Sequence, residues 1–225
     1  MLPTVLIADD HPLFRDALKQ AVKPVLQEHR TVEASNLAEA RDWMKKGGIS
    51  LLLLDLHMSD SHGFVGLIEF RQEFPSVPIV VVSASEDAEI IARAIEFGAS
   101  GFIPKSSSLD QMSGAIDAIM QGDIWTPDHI DLDNVQLDKE QSETNQKLKQ
   151  LTGAQLKVLH AVVRGLLNKQ IAHELGITEA TVKAHLTAIF RKLDVINRTQ
   201  AVMVAQGLDI ERALLDVDQA GSGAG

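Results

Sequence analysis

The 225 residues suffice for one large domain or two small ones, 45% of them are hydrophobic, and the absence of cysteine excludes disulfides and thiol catalysis and suits a reducing compartment. No apolar run approaches the ~20 residues that span a bilayer, and the start MLPTVLIADD lacks the basic stretch and long apolar core of a signal peptide, so a cytoplasmic protein with no membrane partner is expected. The net charge of −10 is unevenly spread: residues 147–212 hold ten Lys/Arg against five Asp/Glu, a balance of +5, while the rest of the chain stands at −15, and a basic module joined to an acidic one points to nucleic acid.

Residues 5–8 read as a strand running into Asp9 and Asp10. His11-Pro12 opens a helix, because proline in the first turn gives up an N–H that has no partner there. Leu13, Ala17, Leu18 and Ala21 supply that helix with an apolar face. Residues 31–34 form a short second strand. Asn36 caps a helix with Leu37, Ala40 and Met44 inward, ending at Gly47-Gly48. The run LLLLD at 51–55 is a third strand, apolar on both faces as in a buried parallel sheet, and it ends in Asp55. Residues 59–63 read as a loop, followed by a helix that stops before Pro75. Residues 78–82 form a fourth strand running into Ser83. Ser85 caps a helix carrying Ile90, Ile91, Ala94 and Ile95, which stops at Gly98. Residues 101–103 form a fifth strand, followed by Pro104 and Lys105, and Ser106, Ser107 and Ser108 offer caps for a last helix reaching Met120.

This alternation predicts an α/β domain over residues 1–122, a five-stranded doubly wound parallel (βα)5 sheet with helices on both faces. Residues 123–147 are polar and acidic and read as a linker, with a helical extension toward Lys147 left open. From Leu151 the pattern is helical only, predicting an all-α four-helix domain over 148–212. Thr152 caps a helix with Leu156, Leu159 and Val163 inward, ended by Gly165. Asn168 caps a second, ended by Gly176, and Thr178 caps a long third helix to Leu193. The fourth helix spans 198–207. Two short helices around a tight Gly-containing turn form a helix-turn-helix pattern. The tail 213–225, ending AGSGAG, is expected to be disordered.

Strand ends of a parallel sheet share one edge, where such folds place their ligands. Asp9, Asp10 and Asp55 would meet there. Three clustered anions call for a cation, and hard oxygen ligands suit Mg²⁺. A carboxylate can attack a phosphoryl group to give an acyl phosphate, Lys105 supplies positive charge, and the Ser83 hydroxyl can bond a phosphoryl oxygen. Each residue alone has a plainer reading: Asp55 or Ser83 capping a strand end, Lys105 on a surface loop.

Residues 4–121 resemble the receiver domain of response regulators, on the pair Asp9-Asp10 after VLIA, Asp55 after LLLL, Ser83-Ala84 after VV, and Lys105 after GFIP. The resemblance implies that Asp55 is the phosphoacceptor, that Asp9, Asp10, Asp55 and the backbone carbonyl of His57 hold Mg²⁺, and that Ser83, Ala84 and Lys105 form the phosphate-binding switch. Phe102 takes the aromatic switch position, with plain core as its alternative. Two departures stand out. Ser59 replaces a proline four residues after Asp55, and Ser106 replaces a proline after Lys105, so the peptide following Lys105 is expected to be trans.

The stretch LTGAQLKVLHAVVRGLLNKQIAHELGITEATVKAHLTAIFRKLDVINRTQAV resembles the LuxR-type helix-turn-helix domain along its whole length, most specifically in NKQIAHELGITEATVKAHLTAIFRKL and NRTQAV. Gly153-Ala154-Gln155 departs from the charged residues usual after LT. Together the two parts resemble the NarL/FixJ subfamily of two-component response regulators. On the helix after Thr178, Val182, Leu186 and Ile189 form a core stripe, leaving Thr181, Lys183, Ala184 and Thr187 for DNA. The resemblance puts base-edge contacts at Lys183, Ala184 and Thr187, while Lys169, Arg191 and Lys192 read as phosphate contacts, or else as a solvated helix face. Residues 199–207 would pair two such domains into a homodimer on double-stranded DNA half-sites.

The expected function is a phosphorylation-dependent transcriptional regulator that receives its phosphoryl group from a sensor histidine kinase and is not an enzyme. The opposite charges of its two parts suggest that the receiver masks the recognition helix until Asp55 is phosphorylated. The alternatives are a phosphorylation-independent DNA binder whose receiver serves as a dimerisation module, and a phosphatase with an aspartate nucleophile.

Overall fold

The computed structural model describes residues 2–132, 135 and 139–205. The chain divides into two compact units, Met1–Gln136 and Leu137–Gly225. This boundary falls inside the expected linker.

The first unit is built from β1 (Thr4–Ala8), α1 (Pro12–Val25), β2 (Arg30–Ala34), α2 (Leu37–Lys46), β3 (Ile49–Asp55), a small hairpin of β4 (His57–Met58) and β5 (Ser61–His62), α3 (Val65–Glu73), β6 (Ile79–Ser83), α4 (Ala88–Glu96), β7 (Gly101–Pro104) and α5 (Leu109–Gln121). The five long strands form one parallel sheet in the order β2-β1-β3-β6-β7. The chain reverses its winding between β1 and β3, so a crevice opens at their carboxyl ends. Alternate residues of the strands face opposite sides. Val5, Ile7, Leu51, Leu53, Val80, Val82 and Ile103 pack with Leu18, Ala21, Val22, Met112, Ala115, Ile116 and Ile119 of α1 and α5. Leu6, Leu52, Leu54, Val81 and Phe102, on the other face, are also fully buried. The doubly wound α/β expectation therefore holds.

Local details differ from the sequence reading in ways with a physical cause. Leu13, expected on the apolar face of α1, is 86% exposed, because the buried stripe runs through Leu18, Ala21 and Val22 and Phe14 takes the inward place in the first turn. The cap of α4 is Asp87 rather than Ser85. Asp87 Oδ1 accepts from the amides of Glu89 and Ile90, and Ser85 Oγ accepts from the Asp87 amide. Arg93 on that helix is buried, with its guanidinium 5.1 Å from the Phe64 ring centroid, and desolvation pulls its pKa below the usual arginine value. Asn36 caps α2 as expected, accepting from the Glu39 amide at 2.8 Å.

The loop read at 59–63 contains the hairpin, with His57 opposite His62 and Met58 opposite Ser61. Asp60 fastens it by accepting from the amides of Leu37 and Ala38 at 2.8 and 3.1 Å. A turn that a proline would stiffen is held here by cross-strand pairing and by binding to the amino end of α2. Part of the expected linker also belongs to this unit. Trp125 lies beside β7, donating to Ser100 O and accepting from the Phe102 amide, and packs against the core.

The second unit holds α6 (Lys139–Lys149), α7 (Gly153–Val163), α8 (Asn168–Leu175), α9 (Glu179–Leu193) and α10 (Arg198–Ala205). Its core gathers Leu148, Leu151, Leu156, Leu159, Ile171, Val182, Ile189 and Ala201, all fully buried. Val163, expected inward, is only partly buried. The helical extension toward Lys147 is therefore present as α6. The expected end of the fourth helix at 206–207 and the tail at 213–225 lie outside the described residues.

Candidate functional site

The receiver-like edge assembles itself from strand ends. Hydrophobic burial fixes β1, β3, β6 and β7 in parallel register, with Ala8 beside Leu54, Asp55 beside Val82, and Ser83 beside Pro104. The residues that follow or end these strands, Asp9, Asp10, Asp55, Ser83 and Lys105, thereby reach one crevice. Asp9 is 1% exposed and Asp55 is 4% exposed. Two such buried carboxylates stay charged only with a partner. Lys105 is that partner: its Nζ lies 2.7 Å from Asp9 Oδ2 and 2.7 Å from Asp55 Oδ2. Burial pushes the Asp55 carboxyl above the ordinary carboxylate range. The Lys105 ammonium and the His57 amide, which donates to Asp55 Oδ1 at 3.1 Å, pull it back, and the Asp9 charge adds to the rise.

Three further groups frame the crevice. The Arg15 guanidinium donates to Asp9 O at 2.6 Å and to Glu33 at 2.8 Å, holding the end of β1 to β2. The Phe14 ring centroid lies 4.9 Å from Lys105 Nζ. Ser83, fully buried, accepts from the Ser85 amide at 3.3 Å, and its carbonyl accepts from the Lys105 amide at 2.7 Å. One backbone bond therefore ties Ser83 to Lys105. No described peptide bond is cis, so the bond after Lys105 is trans as expected.

The helical unit presents a different kind of surface. Gly176 closes α8 with φ of 64°, a left-handed conformation that suits glycine, and the chain turns directly into α9. Thr178 caps α9 by accepting from the Thr181 amide at 3.1 Å. Val182, Leu186, Ile189 and Leu193 face the core. Lys183, Ala184, Thr187 and Arg191 are exposed, Thr181 is half-buried, and Lys169 is exposed on α8. The Thr187 hydroxyl donates back to Lys183 O at 3.0 Å.

Two models of known families match the chain: the response regulator receiver domain over residues 5–117, and the bacterial regulatory proteins of the luxR family over residues 149–205. The chain is a two-component response regulator of the NarL/FixJ subfamily. It is 41% identical over 215 residues to the glycerol metabolism activator of Pseudomonas putida, covering 91% of this chain and 96% of the relative. It is 31% identical over 200 residues to the nitrate/nitrite response regulator protein NarP of Escherichia coli, covering 89% and 93%. A solved RcsB–DNA complex superposes with a TM-score of 0.54 at 20% identity, covering 92% of this chain and all of that one, a likeness in fold.

Within this response regulator and transcriptional regulator, the donor set fits a hard divalent cation of the kind receiver domains bind. Ligand atoms of Asp9, Asp10, His11 and Asp55 all lie within 4.8 Å of one another, and Asp10 Oδ1 is buried with no hydrogen-bond partner. His11, Phe14 and Arg15 border the site but were absent from the sequence-based set. Their signal was adjacency: the helix that opens right after Asp9-Asp10 must start at the crevice. Phe102 is fully buried, as its plain-core reading requires and as an inward-turned switch ring would also be.

In the luxR-type unit, Lys192 is not a free cation: its Nζ bonds Gln150 O and Gln155 Oε1, each at 2.8 Å. Gln155 also closes a capping box with Thr152, so the unusual GAQ serves α7 and α9 together. Asn168 is not the cap of α8. It is the first helical residue and accepts from Arg198, while Gln170 accepts from the Leu167 amide at 2.7 Å. Arg198 donates to Leu166 O at 2.6 Å and Val162 O at 3.4 Å, closing the carboxyl end of α7. Among the described residues no helix is long and apolar enough to cross a membrane.

Proposed function

We propose that Asp55 accepts a phosphoryl group from a sensor histidine kinase and that this controls DNA binding by the helical unit. The observation that carries the reading is the Lys105 ammonium shared by Asp9 and Asp55 at 2.7 Å each, at the carboxyl edge of the sheet. Lys105 keeps Asp55 ionised against burial and so preserves its oxygen as a nucleophile. That oxygen attacks phosphorus, the bond to the kinase histidine nitrogen breaks, and a mixed acyl phosphate results. Asp9, Asp10, Asp55 and the His57 carbonyl would hold Mg²⁺, which would supply charge neutralisation for the incoming group.

Phosphorylation adds about two negative charges where Asp55 had one. Lys105 then follows the phosphoryl oxygens, and the Ser83 hydroxyl turns to donate to them. Because the Lys105 amide bonds the Ser83 carbonyl, β6 and β7 shift as a pair. Their movement biases the face of α4, β7 and α5 between two arrangements. The helical unit reads DNA with Lys183, Ala184 and Thr187 at base edges, Thr181 beside them, and Lys169 and Arg191 on phosphates. Two copies paired through α10 match two half-sites in the cytoplasm.

Intact-protein mass after incubation with a small acyl phosphate and Mg²⁺ tests the chemistry. The wild type gains one labile phosphoryl group and Asp55→Ala gains none. An unmodified wild type that is folded and magnesium-loaded would leave the DNA-binding reading to stand on the helices alone. Removal of the receiver tests masking: unchanged DNA affinity refutes it.

A further inference from the structure

β7 is the last strand of the sheet, so one of its edges has no neighbouring strand to pair with. The residues that follow α5 cover that edge. Trp125 donates its amide to Ser100 O at 3.3 Å and accepts from the Phe102 amide at 2.9 Å, a parallel bridge opposite Gly101. Its half-buried ring packs against the core formed by α1, α5 and the sheet. Gly101 makes this approach possible. A Cβ there would stand 2.9 Å from Trp125 O and 2.5 Å from Ile119 Cδ1, nearer than packed atoms come. Further along, Pro127 and His129 line, with Trp125, Pro104, Ser106 and Ser107, one cavity of about 460 Å³. The loop that carries Lys105 and the segment after α5 therefore border the same open space. Residues 126–136 lead from Trp125 to the second unit.

We propose that residues 124–129 are a strap that transmits the state of Asp55 to the tether of the DNA-binding unit, seated on β7 in the unphosphorylated protein and unseated when β7 shifts. Trp125 has two attachments: its backbone is held by β7 and its ring by the core against α5. Lys105 directly follows β7. A pull of Lys105 toward a phosphoryl group on Asp55 therefore displaces β7 relative to α5, and both attachments cannot then be kept. The two backbone bonds lie at the sheet edge and open without unfolding the core. The cavity beside Pro104 and Ser106 gives the strap and the lysine loop room to move. While seated, the strap fixes where the tether leaves the receiver. Once unseated, it frees the DNA-binding unit to reorient and pair on its half-sites. The inference rests on the phosphoacceptor role proposed for Asp55 and adds the route by which that role leaves the receiver.

The test is amide exchange in the full-length protein before and after phosphorylation by a small acyl phosphate with Mg²⁺. Exchange at the Trp125 and Phe102 amides is expected to quicken about tenfold on phosphorylation, while the amides of β1 and β3 keep their protection. Two variants loosen the strap without touching the acidic crevice. Gly101→Ala adds a methyl that displaces Trp125 O, and Trp125→Ala removes the ring anchor while keeping Gly101. Each is expected to take up one phosphoryl group, which shows that its receiver is folded, and to exchange at Phe102 as fast as the phosphorylated wild type. Each should also bind, without phosphorylation, a duplex selected by the wild type from random sequences, within about threefold of the phosphorylated wild type. The wild-type exchange decides even where neither variant folds. Phe102 exchange unchanged by phosphorylation, or a loosened strap with DNA binding still fully dependent on phosphorylation, overturns the proposal and leaves Trp125 a plain cover for the edge. A wild type that gains no phosphoryl group by mass, or binds the duplex equally with and without one, refutes the control proposed for Asp55 and the strap's role with it. The wild-type mass and affinity thus separate that failure from failure of the strap alone.

Discussion

The two units handle charge in opposite ways. In the receiver unit Asp9 and Asp55 lie inside the fold, with the single Lys105 ammonium 2.7 Å from both. In the helical unit the stripe of Lys183, Ala184, Thr187 and Arg191 lies on the surface, while the cations that hold the unit together, Lys192 and Arg198, are bonded to backbone and amide oxygens. Function and stability are therefore fused in the first unit and separable in the second. A buried charge cannot be altered without changing the energy of the fold, whereas an exposed one can.

The sharpest way to break this comparison is Lys105→Met. It leaves Asp9 and Asp55 buried without a cation, and loss of one partner of a buried pair costs about 3–5 kcal/mol. Urea unfolding followed through the receiver should show most of that loss; a change below about 1 kcal/mol would mean that water or relaxation solvates the carboxylates. Next in size is Arg198→Ala, which removes charge-assisted bonds to Leu166 O and Val162 O. The expected cost is about 2 kcal/mol, confined to the helical unit. A receiver destabilised by the same amount would count against separate units.

Asp55→Asn sharpens the comparison in the other direction. Burial raises the folded pKa of Asp55 above its unfolded value. The native state therefore binds this proton more tightly, and the resulting stability is full below the unfolded pKa and lost as pH rises through the folded one. At neutral pH the charged Asp55 is a cost that asparagine removes. The variant should be more stable than wild type near pH 7, with the gap closing as pH falls through the folded pKa of Asp55. A gap that widens on acidification would reverse the assignment. The smallest expected effect on stability is that of Lys183→Ala, within about 0.5 kcal/mol. Its DNA affinity should nevertheless fall by about 1–3 kcal/mol at cognate sites. A melting shift as large as that of Arg198→Ala would show that the recognition face is structural.

Much of this was legible in the chain because local rules and global fold agree. Apolar runs that end in Asp9, Asp55 and Ser83 specify both a buried parallel strand and a polar residue at its carboxyl edge. The Lys105 position was readable for the same reason. What could not be read was everything that depends on which neighbour a polar side chain meets. Arg93 carries a charge yet is buried over Phe64. Asp60 looks like a loop residue but caps α2 from a distant part of the sequence. Lys192 looks like a phosphate contact and is engaged with Gln150 and Gln155.

The sequence by itself determined the order of the five long strands and their helices, the caps at Asn36, Thr152 and Thr178, the residues that gather at the sheet edge, and the core stripe of α9. These follow from periodicity and from bonds spanning three or four residues, which the chain carries locally. Only the tertiary structure decided that one lysine serves two carboxylates, that the hairpin after Asp55 is fastened to α2, that Trp125 joins the receiver, and which basic residues stay free. Those outcomes depend on distances between segments far apart in the chain, and close packing around buried charges sets them.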